Sequence, residues 1–270
     1  MNDFDSGVIA ARPRLGRVAS VAALLIFATS CSSDVPTESA DRRTAPPADD
    51  ASATAISSPP DAASPAGSPL PFGEEPLEAG TWISRLGAPY PDILLELSEG
   101  WHSVGPVWIS NGAEYPELVG LMVWDVSEVY EHPCQWNQPR ITPGPSADDL
   151  AAVLAARPLR EAAEPQDVEI GGFHGTYLEW SVPVDIDFST CDVDPIDGEH
   201  YFESWRGIAG GSDRYQQGPG QVDELWIIEV GEHRIVFDLT YGPGAADSEA
   251  VEELRSVVHN VRFAGVEDGS

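Results

Sequence analysis

The sequence predicts an α+β fold: an antiparallel sheet with two main helices packed on one face, forming a single globular domain over residues 74–267. Three observations lead there. Short apolar runs separated by glycine turns outnumber helical patterns, and they follow one another as hairpins. Only two segments carry both a helix cap and a helical apolar period. All eight tryptophans lie beyond residue 74, so a substantial core can form there.

The chain begins with a different chemistry. Arg12, Arg14 and Arg17 form a positive region, and an uncharged run from Val18 to Ser30 follows. A spanning helix needs about 20 apolar residues, so this run reads as an export signal rather than a permanent anchor. It ends in Ala28-Thr29-Ser30-Cys31, which looks like a bacterial lipobox. Residues 1–31 are therefore expected to be a lipoprotein signal peptide. Cys31 is expected to carry a diacylglycerol, whose two acyl chains give stable anchoring where one is marginal. The alternative is an ordinary secretory signal cleaved near Ser30. Of the three cysteines, assigning Cys31 to lipid leaves Cys134 and Cys191 as an even pair.

Residues 32–73 are mostly Pro, Ala, Ser and Thr. Such a composition buries too little apolar surface to offset its ordering entropy, so a disordered, partly polyproline linker is expected. A flexible tether of this length spans about 35 Å on average. Its Ser/Thr/Pro content also suits O-glycosylation.

Within the domain, Ile93 to Leu97 and Trp101 to Ile109 read as strands joined by the Glu99-Gly100 turn. Leu118 to Val126 reads as one central strand. Ser146 and Asp149 resemble a capping box, opening a helix that runs to about Ala156 before Pro158. Gln166 to Ile170 and Phe173 to Val182 flank Gly171-Gly172 as a hairpin. Tyr201 to Trp205 is a further strand. Glu224 to Val230 and His233 to Tyr241 form a second hairpin around Gly231. Asp247 or Ser248 caps a last helix to about Asn260, with Val251, Leu254, Val257, Val258 and Val261 on one face. A short strand at Arg262-Phe263 closes the fold.

The closing stretch ELRSVVHNVRF and the opening LSEGWHSV (Leu97 to Val104) resemble the Mog1/PsbP-like α/β/α sandwich of actinobacterial lipoproteins of the LpqN kind. The likeness covers the ends of the domain. It implies a sandwich fold and a place in the cell envelope, and it supplies no catalytic residues.

Charge excludes one class of partner. The chain has 14 basic and 45 acidic residues, a net charge of −31. Nucleic acid needs a positive surface, so none is expected as a partner. Anionic lipid would repel the domain, so membrane attachment rests on the lipid at Cys31.

Candidate sites in the domain are few. Cys134 and Cys191 are expected to form a structural disulfide in an oxidising compartment, the alternative being a redox-active pair. Asp192, Asp194 and Asp197 lie in an acidic loop that faintly resembles a calcium-binding start, interrupted by Pro195, so calcium is the one cofactor considered. Trp136, in a loop beside Cys134, is the candidate for an exposed ligand-stacking ring. The histidines are scattered, and Ser212 lacks a nucleophile's strand-to-helix context. These residues point to an extracytoplasmic binding or accessory lipoprotein, more readily than to an enzyme. A carboxylate-dependent cell-wall hydrolase and a calcium-stabilised adhesion module are the alternatives.

Overall fold

Glycines that accept positive φ make the turns of the central sheet. Gly171 and Gly172 have φ of 58° and 82°, and Gly231 has φ of 64°. Two-residue hairpin turns demand this region, which glycine enters without a Cβ penalty. The computed structural model describes residues 66–207 and 213–266. Cys31, the leader and the tether as far as residue 65 lie outside the described residues, as does Ser212.

In chain order the first strands are β1 (Ser68–Pro69), β2 (Glu75–Pro76), β3 (Gly80–Ser84), β4 (Asp92–Leu97), β5 (His102–Gly105) and β6 (Trp108–Ser110). Next come β7 (Val119–Trp124), β8 (Val126–Tyr130) and β9 (Arg140–Ile141), then helix α1 (Ala147–Ala155). Strands β10 (Glu161–Ala162), β11 (Gln166–Ile170), β12 (Phe173–Ser181), β13 (Phe202–Gly207) and β14 (Asp213–Gln216) follow. The chain ends with β15 (Val222–Val230), β16 (His233–Tyr241), helix α2 (Glu249–His259) and β17 (Arg262–Ala264).

The class is α+β as expected, but among the described residues the strands form three sheets rather than one. The central sheet runs β10-β12-β15-β16-β7-β6-β5-β2, with β11 also paired to β12. A second sheet runs β1-β3-β4-β17 and a third β14-β13-β8-β9. Apart from β1, which pairs in parallel with β3, the pairings are antiparallel.

Strand alternation gives the central sheet two apolar faces. Trp226, Ile228, Phe237 and Leu239 point to one side, where Val251, Leu254, Val257 and Val258 of α2 cover them. Leu225, Ile227 and Val236 point to the other, against Ala147, Leu150, Ala151 and Leu154 of α1. The helices thus lie on opposite faces, which corrects the expectation of one face. Both strands of the β15–β16 hairpin are apolar at successive positions, so each face of the sheet needs a cover.

Three expectations change for local reasons. The run Leu118 to Val126 is two strands, β7 and β8, which separate at Asp125 and join different sheets. The stretch Trp101 to Ile109 is likewise broken, into β5 and β6. The Glu99-Gly100 turn does not close a hairpin, because β4 belongs to the second sheet and β5 to the central one. The domain also begins earlier than residue 74. β1 pairs with β3, the Leu70 N–H donates to the Ile83 carbonyl at 2.9 Å, and Leu70 is buried.

Both helix starts are as the sequence implies. Ser146 Oγ accepts from the Asp149 N–H at 3.1 Å, and Asp149 accepts from the Ser146 N–H at 3.2 Å. Ser248 caps α2 through the Val251 N–H. Ser146→Ala is expected to cost about 1 kcal/mol in urea unfolding; an unchanged midpoint would mean that other contacts hold the start of α1. Among the described residues no helix is long and apolar enough to cross a membrane.

Candidate functional site

The acidic loop and its disulfide form one structural unit. Cys134 follows β8 and Cys191 precedes β13, and the two are joined by a disulfide. Val182 and Phe202 pack with them in a small apolar cluster, where the Phe188 and Phe202 rings stack at 5.1 Å. The Asp192 N–H donates to the Cys134 carbonyl at 2.8 Å.

Asp194 and Asp197 bond within their own loop, and Asp192 ties that loop to the segment after β8. Asp192 Oδ2 accepts from the Asn137 backbone and side-chain amides at 3.1 and 3.0 Å. Asp194 Oδ1 accepts from the Ile196 N–H at 2.7 Å. Asp197 accepts from the Glu199 N–H at 2.9 Å and the Tyr201 hydroxyl at 3.0 Å. Short polar side chains that bond the backbone two residues on are turn-formers. Among the described residues no three His, Cys, Asp or Glu side chains converge to hold a metal. Trp136 is corrected outright: it is only 8 % exposed and offers no open ring.

The densest polar chemistry lies elsewhere, on the α1 side of the central sheet. Asp223 of β15 and Asp238 of β16 are fully buried and share one cation. Arg214 of β14 donates from Nε to Asp238 Oδ2 at 2.6 Å and from Nη2 to Asp223 Oδ1 at 2.9 Å. Asp223 also accepts from Trp180 Nε1 at 2.8 Å and Gln221 Nε2 at 3.0 Å. A second guanidinium, Arg160, lies 4.0 Å from Asp223 Oδ2 and donates to Ser204 Oγ. It is held against the rings of Trp180 and Phe202, at 4.2 and 4.5 Å from their centroids. Burial pulls the Arg160 pKa down to about 9, opposed by the charge of Asp223. Gln216 and Gln221 extend the network to Ser204 and Thr240. Two buried anions and two buried cations balance, which is the condition for keeping such charges out of water.

A second constellation flanks α2. Arg255 grips Glu224 of β15 with Nε at 3.1 and 3.0 Å from its two oxygens. The Tyr241 hydroxyl donates to Glu224 at 3.1 Å. Beside them Tyr177 meets Trp226 at 5.3 Å, and Trp226 meets His259 edge-on at 6.0 Å. Burial raises the Tyr177 and Tyr241 hydroxyl pKa values, helped by Glu224. The guanidinium fork on Glu224 ties α2 to the sheet. Past the end of α2, Glu169, Gly171, Phe173, Val261, Arg262 and Phe263 line an open groove of about 600 Å³.

The sequence reading did not single out Arg160, Arg214, Asp223 or Asp238. One signal was available: Asp238 interrupts the apolar run from Ile235 to Leu239, where a charge must be buried with a partner. No family model matches this chain, and no curated protein or solved structure matches it either.

Proposed function

We propose that this chain is a lipid-anchored binding or accessory protein on the outer face of a bacterial cell membrane, with the Pro/Ala/Ser/Thr-rich segment between the anchor and its α+β domain. Cysteine pairing carries the reading. With Cys134 and Cys191 bonded to each other, Cys31 is the one cysteine of three left for another chemistry. It stands at the end of the export-type leader, where lipid transfer would occur. A disulfide also suits the oxidising side of the membrane. The net charge of −31 adds a physical need, since anionic headgroups repel such a domain and a covalent lipid overcomes the repulsion. The groove beside Arg262 and Phe263 is the concave surface offered to a ligand.

Cys31→Ala tests the reading in the native host. The variant is expected to lose incorporation of labelled palmitate and to appear in the medium or as an unprocessed precursor. Unchanged labelling and membrane fractionation would refute it.

A further inference from the structure

We infer that Asp238 is a proton-uptake site through which external acidity tightens the junction between the β13–β14 hairpin and the central sheet. The two buried aspartates are solvated unequally by the protein. Asp223 receives Arg214, Trp180 and Gln221, with Arg160 nearby. Asp238 Oδ2 receives Arg214, while its Oδ1 is buried without a well-formed hydrogen bond and has the Trp124 indole as its nearby donor. An anion so placed has fewer donors than Asp223 to offset its desolvation, and a proton on it relieves the remaining cost.

Arg214 from β14, Asp223 from β15 and Arg160 from the segment after α1 are the charges that face Asp238. β7 contributes the Trp124 indole, and the α1 face turned to this region is apolar. On the far side of the third sheet, Asp213 is taken up by Tyr130 and Arg206. Burial raises the Asp238 pKa above the usual carboxylate range; Arg214 opposes the rise, Asp223 adds to it, and the Trp124 indole opposes it a little further.

The sign follows from linkage. The closed, folded carboxyl holds its proton more tightly than the open or unfolded one, so proton uptake favours the closed state. That contribution is complete below the ordinary aspartate value of about 3.9 and is lost as pH rises through Asp238's own raised midpoint. Arg214, Gln216 and Ser204 all sit on β13 or β14, so the hairpin is what the cluster fastens to the central sheet. A protein outside the cytoplasm meets ambient pH directly, and a device of this kind would hold its third sheet more firmly in mild acid.

The test compares the protein with Asp238→Asn, a neutral stand-in for the protonated acid. Carboxylates remote from the cluster titrate alike in both, so the ratio isolates the Asp223–Asp238 pair that shares Arg214. The ratio of folding constants, variant over parent, is expected to rise by up to about tenfold per pH unit between the two midpoints. Amide exchange in β13–β14, corrected for intrinsic rates, is expected to slow from pH 7 to pH 5 in the parent and to lose that dependence in the variant. Carbon-13 carboxyl titration of the parent reads the midpoint without any substitution. A midpoint at or below the ordinary value, or parallel pH profiles for the two proteins, would overturn the inference.

Discussion

Replacing Arg214 with methionine is expected to destabilise the domain by about 3–5 kcal/mol, the largest effect foreseen for a single side chain. Methionine fills much of the same space and leaves both Asp223 and Asp238 without their shared cation. Both carboxylates are fully buried, so water cannot replace the lost bonds without opening the third sheet. Arg160 does not take over, because it stands 4.0 Å from Asp223 and is clamped between two rings. Arg214→Lys is expected to fall between, since a point charge cannot fork to two acids at once. Pairing Arg214→Met with Asp238→Asn should recover part of the loss, and that coupling identifies the buried charge as its source. Urea midpoints measure all four proteins. A loss below about 1 kcal/mol for Arg214→Met would show that the cluster is reached by solvent.

Removing the disulfide by Cys134→Ala with Cys191→Ala is expected to cost about 2–5 kcal/mol. The cysteines are 57 residues apart in sequence. The loop they close contains α1 and the β11–β12 hairpin, so in the unfolded chain the bond restricts a long segment. In the folded chain it joins the stretch after β8 to the stretch before β13, neighbours in the third sheet. Thermal unfolding of the parent with and without reductant should reproduce the difference between parent and double variant. A melting temperature indifferent to both would mean that the small cluster around Phe202 holds these segments unaided.

The parts of the fold that sequence could reveal were those governed by neighbouring residues. Ser146 with Asp149, Ser248 before α2, Gly171-Gly172 and Gly231 each act within four positions, and each marks its element within a residue or two. What distant pairing decides was hidden. Nothing local says that the apolar run through Asp125 serves two sheets, since both halves have the same strand character. Leu70 looks like one aliphatic in a proline-rich tether, and only its seat beside Ile83 shows that the fold has begun. The buried cluster was hidden for a similar reason. Arginines 160 and 214 are far apart in sequence, and an arginine on a short strand reads as a surface residue until the opposing sheet is in place. The burial of Trp136 was hidden as well, because a position in a loop does not fix how exposed a ring is.

Leu70 and β1 also decide where mechanical load enters the molecule. A pull arriving along the N-terminal segment does not reach the core through a slack joint. It meets first the Leu70–Ile83 hydrogen bond, the two-residue parallel ladder of β1 on β3, and an apolar side chain seated in the core. β1 is an edge strand of a sheet separate from the two that hold the charged cluster. Tension strong enough to peel it would be met next by the Pro71 carbonyl, which accepts from Ser103 of β5, and by β2 on the edge of the central sheet.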